Sequence, residues 1–246
     1  MRIDIWSDIV CPFCYVGKRN LEQALAEFEH RDEVEVVWHS FELDPSATEH
    51  PAGSLPELIA GKYQMSLEQA IASQESLAER AREVGLDFNW RQARYGNTFD
   101  AHRVIHYAAE QGLASAAEEA FKLAYFTQGR SVQDHESILD IASEIGLDTA
   151  EVEAVLKSDR YAADVRADEQ LARQLGINGV PFFLIESKWA VSGAQPAKML
   201  VQALRQVWEE THRVEFLNPL AGAAGDAAGN NAAEAGPSCD MNGNCS

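Results

Sequence analysis

Two cysteines stand three positions apart in the run Cys11-Pro12-Phe13-Cys14, and two more, Cys239 and Cys245, lie far along the chain. A thiol that exchanges disulfides must ionise near neutral pH, be reachable, and have a second thiol close enough to release the mixed disulfide. The Cys-x-x-Cys spacing provides that second thiol if the pair opens a helix. Cys11 then sits where unpaired backbone N–H groups and the helix dipole favour negative charge, and Cys14 lies one turn on and deeper. Pro12 falls near the first helical position, where its missing N–H costs nothing. Cys11 is the expected nucleophile and Cys14 the expected resolving thiol. The pair alone also suits half a zinc site, and the four cysteines together a whole one.

The flanking residues supply such a setting. Residues 2–8 alternate apolar and polar side chains as a strand does, and Leu21, Leu25 and Phe28 give 16–28 a helical face. Residues 33–41 are β-branched and aromatic, a second strand, so the cysteines occupy the strand-to-helix turn of a β-α-β unit. Helical patterns then dominate: 67–84, 99–110, 115–127, 134–145 and 149–157, separated by glycines such as Gly85, Gly112, Gly129 and Gly146. Strand character returns at 180–185 and 189–193, a hairpin, before a last helix at 197–208. The order predicts an α/β chain with a thioredoxin-like fold and a large all-α insertion. The expected thioredoxin-like domain is discontinuous, 1–50 and 160–216, with the helical insertion at 51–159 and a flexible Ala/Gly/Asn-rich tail at 217–246.

A proline opens the strand after the insertion, in Gly179-Val180-Pro181. The fold would set it opposite the cysteine turn. A cis bond there would leave the flanking backbone free to pair with an extended substrate; the plainer reading is a proline that merely begins a strand. Together, Ser7 to Gly17 around the cysteines, Asn97-Thr98-Phe99-Asp100-Ala101-His102-Arg103, and Gly179-Val180-Pro181 resemble the DsbA-like family of thioredoxin-superfamily oxidoreductases, in its FrnE branch, over about residues 1–212. The resemblance implies a thioredoxin fold with a helical insertion, Cys11 as nucleophile and a cis bond before Pro181. It also implies that Asn97, Thr98 and His102 approach the cysteines as part of a substrate groove. Pro12, Phe13, Val180 and Pro181 would support the active site. Phe13 stands where FrnE-like members commonly carry tryptophan and DsbA carries histidine. A histidine there can stabilise a thiolate and phenylalanine cannot, so strongly oxidising character is not implied.

The expected activity is thiol–disulfide exchange with protein thiols and disulfides, with glutathione or thioredoxin as electron partner and no bound cofactor. Isomerase activity is the alternative, and a Cys-based metal-binding protein is another. His102 and His106 share a helical face, but no third ligand accompanies them, so no metal is expected. Asp8 is either a polar strand end or an influence on proton transfer at Cys14.

Thirty-nine acidic against twenty basic residues give a net charge of −19, which argues against nucleic acid or an anionic membrane as partner. Met1 to Asp8 lacks the apolar core of a signal peptide and no stretch has the apolar length of a membrane span, so a cytoplasmic location is expected. The tight-turn dipeptide Asn242-Gly243 lies between Cys239 and Cys245 and folds that segment back. A linker of about twenty residues spans ~25 Å, enough to reach the Cys11 site, so the second pair either exchanges with Cys11 and Cys14 or is incidental.

Overall fold

Alternation in the first strand places Ile3 and Ile5 on one side and Asp4 and Trp6 on the other, and all four are buried. A strand covered on both faces belongs in the middle of a sheet. The computed structural model, which describes residues 1–48 and 51–213, puts it there. β1 (Arg2–Ser7) pairs in parallel with β2 (Glu35–Ser40), reached through α1 (Pro12–Glu27) and a single 3₁₀ turn at Arg31–Glu33. On its other side β1 pairs antiparallel with β3 (Phe182–Ile185), Ile3 facing Ile185, and β3 turns back into β4 (Trp189–Ser192). The strand order is β2-β1-β3-β4.

Between β2 and β3 run α2 (Leu55–Tyr63), α3 (Leu67–Glu83), α4 (Phe99–Glu110), α5 (Ala114–Phe126), α6 (His135–Glu144), α7 (Thr149–Leu156) and α8 (Ala162–Gln174); α9 (Ala197–Thr211) closes the fold. On one face of the sheet, Ile3, Ile5, Phe183 and Ile185 pack with Leu21 of α1 and Leu204 of α9. On the other, Trp6 packs with Ala172 of α8 and with Ile177. This is a thioredoxin-like α/β sheet carrying a helical insertion. Among the described residues no helix is long and apolar enough to cross a membrane.

The inserted helices have their own core around Val104, Phe121, Ile138 and Val152, and it takes in Ile9, Val10 and Tyr15 from the cysteine turn. Glu119 of α5 fastens this seam. It accepts from Tyr15 Oη at 2.7 Å and from Lys18 Nζ at 2.6 Å, and Arg19 joins them. Burial alone would raise the Glu119 carboxyl, but Arg19, Lys18 and Tyr15 outweigh it and hold it at about 2. A second fastening lies behind the sheet. His39 Nδ1 meets Asp168 of α8 at 2.6 Å, and its Nε2 meets Asp4 of β1 at 2.7 Å. Asp168 also accepts from Ser40 N at 2.8 Å and meets His106 of α4 at 3.2 Å.

Some boundaries differ from the periodicity. α1 starts at Pro12, a turn before residue 16, because its first turn carries the cysteines rather than an apolar stripe. α2 is held by a capping box in which Ser54 N donates to Glu57 at 2.7 Å, and β3 begins only after Pro181. The expected tail, 217–246 with Cys239 and Cys245, lies outside the described residues.

Candidate active site

Cys11 is the residue immediately before α1, in extended conformation (φ −85°, ψ 112°), and Pro12 is the first helical residue. Its carbonyl accepts from Cys14 N at 3.1 Å, and its own N–H reaches Asp8 O at 3.3 Å, which makes the turn between β1 and α1 tight. Four N–H groups at a helix start lack intrahelical partners, and Cys11 sits where they favour an anion. Both sulfurs are free thiols and both residues are buried, Cys11 at 3% exposure and Cys14 at 1%.

The distant proline comes to the same place. The Val180–Pro181 bond is cis, and the Cys11 thiol donates to Val180 O at 3.5 Å. A Cβ on Gly17 would come within 2.9 Å of Pro181 Cγ, so a glycine in α1 is what lets the proline loop lie this close. Cys11, Pro12, Phe13, Cys14, Val180 and Pro181 thus form one cluster, although about 170 residues separate its halves.

Cys11 faces a groove of about 830 Å³. Its near wall is Val10, Phe13 and Val180; its far wall is Leu55, Leu58 and Ile59 of α2 with Leu77 and Arg80 of α3. Tyr95, Tyr125 and Phe126 close it at depth. Phe13 is 40% exposed at the mouth, with the Arg80 guanidinium 5.4 Å from its ring centre. Cys14 is not among the lining residues.

Cys14 is buried off the groove, against Cys11 and within reach of the charge on Lys122. Burial first, then its hydrogen bond and charge interaction with Cys11, push its thiol well up, while Lys122 of α5 pulls it back. Lys122 is wholly buried and ion-paired with Glu118, itself 1% exposed; Ser7 Oγ donates to the same Glu118 carboxylate at 3.4 Å. Burial works against charge on Lys122, yet Glu118 and the neighbouring Cys14 hold it above the usual lysine value. Asp8 is also buried, its carboxylate accepting from Leu43 N at 2.8 Å and meeting His102 Nε2 at 3.4 Å. Burial lowers His102, but Asp8 overrides it and keeps the imidazole above its ordinary value. His102 Nδ1 has no hydrogen-bond partner among the described residues.

The three residues expected in the groove wall do not line it. Asn97 Nδ2 points to Glu42 at 3.4 Å and to Ala47 O at 3.3 Å, and its Oδ1 accepts from Phe99 N at 2.8 Å, which opens α4. Thr98 and His102 are buried behind that opening. Of these, His102 approaches the cysteine turn through Asp8, on the Cys14 side. His102 and His106 share a face yet serve different acids, Asp8 and Asp168. The walls from α2 and α3, and the Glu118–Lys122 pair, were not singled out by sequence. A Glu four residues before a Lys on a helix ordinarily marks a solvated surface.

Such an arrangement suits two-electron sulfur chemistry: one thiol at a helix start facing a groove, a second directly behind it. Comparison with known proteins agrees. Residues 2–205 match the model of the DSBA-like thioredoxin domain. The chain is similar to a solved Streptomyces coelicolor protein described as a probable DsbA oxidoreductase, at 42% identity and a TM-score of 0.83, covering 100% of this chain and 98% of that one. It is 28% identical to YwbO of Bacillus subtilis over 187 residues, 75% of this chain and 86% of the relative. The fold is also shared with the cytosolic disulfide reductase DsbM of Pseudomonas aeruginosa, solved with GSH, at 20% identity and a TM-score of 0.60, over 83% of this chain and 100% of that one.

Proposed function

The chain belongs to the DsbA-like thioredoxin-domain family of thiol–disulfide oxidoreductases, and from that premise we propose that it exchanges disulfides with protein substrates through Cys11 and Cys14. The observation that carries this reading is the unequal access of the two thiols: Cys11 lines the groove, and Cys14 is buried off it. The Cys11 thiolate attacks a substrate disulfide, forms a mixed disulfide and expels one substrate thiolate. Cys14, deprotonated, then attacks the Cys11 sulfur, expels the second substrate thiolate and closes the Cys11–Cys14 bond. Two electrons leave the protein and one substrate disulfide is reduced. Run backwards, the same steps oxidise a substrate dithiol. A dithiol such as thioredoxin, or two molecules of glutathione, returns the pair to the reduced state.

Several details complete the reading. The cysteine and Val180-Pro181 signatures support a place in the FrnE branch. Cys239 and Cys245 relay electrons to or from Cys11 and Cys14. Mass spectrometry of the oxidised protein tests that relay, which fails if the second pair stays reduced and its replacement leaves turnover unchanged.

The main test uses a chromogenic disulfide and a protein disulfide. Cys14→Ser should trap a mixed disulfide at Cys11, visible as a mass adduct that dithiothreitol releases. Cys11→Ser should lower turnover about 10³-fold or more, the scale expected on losing a nucleophile. Turnover retained by Cys11→Ser would sink the proposal.

A further inference from the structure

The groove beside Cys11 has walls too apolar, and too sparing in free charge, for a small polar thiol. Phe13, Leu43 and Tyr63, among the most exposed large apolar side chains of the fold, stand along it at 40%, 41% and 64% exposure. An exposed apolar rim of this kind marks a surface that another molecule covers. Two cations reach it. Lys62 is engaged, 3.4 Å from Asp44, which also accepts from Ser46. The Arg80 guanidinium is exposed, has no ion pair or hydrogen bond among the described residues, and lies over the Phe13 ring, 5.4 Å from its centre. It thus stands beside one of the two residues that separate the cysteines.

We propose, building on the disulfide-exchange reading, that the substrate cysteine is recognised within an extended polypeptide segment, with a bulky apolar side chain next to it seated between Phe13 and α2–α3 and a carboxylate within two residues paired with Arg80. Charge complementarity selects this occupant. Glutathione carries two carboxylates and an ammonium, against an apolar wall offering one unengaged cation. A peptide segment brings apolar side chains for the walls and needs only one acid for Arg80. Arginine is the cation suited to this place, because its planar guanidinium stacks on an aromatic ring and still presents a fork to a carboxylate.

The test uses short peptides whose single cysteine is held as a mixed disulfide with a chromophoric aryl thiol, reacted with the reduced protein. Cys11 attacks the peptide sulfur and the aryl thiolate leaves; Cys14 then closes on Cys11 and releases the peptide thiol, so one mixed disulfide is reduced as the protein dithiol is oxidised. The cysteine is flanked by Phe or Ser on one side and Glu or Lys on the other. Rates are taken relative to a simple aryl disulfide for each protein variant, so that a general loss of activity or folding cancels. We expect kcat/KM for the Phe/Glu peptide to exceed that for Ser/Lys by about tenfold or more. The Glu-over-Lys preference should fall towards unity in Arg80→Gln and reverse in Arg80→Glu. Equal rates for all peptides, faster reaction of the glutathione mixed disulfide than of any peptide, or an unchanged preference in both Arg80 variants would overturn the inference while leaving the exchange activity intact. Failure of the wild-type protein to reduce even the simple aryl disulfide would remove the exchange reading and this inference with it.

Discussion

Cys11 and Cys14 lie within one turn of the same helix, yet their surroundings are opposites. Cys11 looks onto an apolar groove walled by α2 and α3, where Arg80 lies over Phe13 with no ion pair among the described residues. Cys14 is backed by a closed pocket of charge from the turn, α4 and α5, in which Asp8, His102, Glu118 and Lys122 are all buried. The inserted helices supply both surroundings. One side is open; the other is sealed and can hold fixed charges, because their partners are fixed too. On the proposed exchange reading, the difference teaches a division of labour: apolar surface for recognition, prepaired charge for the resolving thiol.

That division can be broken from either side. The sealed side should fail by losing stability. Removing one partner of a buried ion pair strands the other, so Lys122→Met should cost about 3–5 kcal/mol in urea unfolding, and adding Glu118→Leu should recover most of it. A loss below ~1 kcal/mol for the single variant would mean that the pocket is not sealed. Between the two sides lies Gly17, which touches the proline loop. Gly17→Ala should cost about 1–3 kcal/mol by overpacking against Pro181, read as a lower urea midpoint at unchanged slope. The open side should fail differently. Leu58→Ser, on a half-buried groove residue, should cost less than ~1 kcal/mol while slowing reaction with apolar peptides, a split seen by measuring unfolding and kcat/KM on one preparation.

The smallest effect concerns pH. Burial lowers His39, but Asp168 and Asp4 outweigh it and raise its proton affinity in the folded state. A raised histidine contributes stability that is full below the unfolded value of about 6.5 and is lost as pH rises through the folded value. His102 has the same sign, its affinity raised chiefly by Asp8 against burial. The melting temperature should therefore fall as pH climbs from about 6 to 9, and His39→Asn should flatten part of that fall. An identical slope in the variant would assign the effect elsewhere.

The sequence was most legible where pattern is local. The alternation of Ile3 and Ile5, the β-branched run before Ser40, and the Cys-Pro-Phe-Cys spacing carry their structure with them. The proline opposite the cysteines was legible because Val180-Pro181 opens a strand that the thioredoxin-type order sets beside β1, with β4 on its other side. The groove was not, since which faces of α2 and α3 look towards Cys11 is decided by packing across the insertion. Ser54 and Glu57 held a readable signal, a capping box that starts α2, and it marks where the far wall begins. Glu118 and Lys122 were hidden by their own spacing, and Asn97 and Thr98 serve the start of α4 rather than the groove.

One further consequence follows from β1 being the central strand while its antiparallel partner is β3. Ile3 pairs with Ile185, so the two strands that frame the cysteines are separated by nearly the whole described chain. A ribosome therefore releases the reactive dithiol long before the segment that accepts the Cys11 thiol hydrogen bond. Until Val180 emerges, β1 has an unpaired edge beside two uncovered thiols, and contacts this distant in sequence form slowly. The nascent chain is thus most open to off-pathway sulfur chemistry during its own synthesis, and completion of β3 ends that exposure.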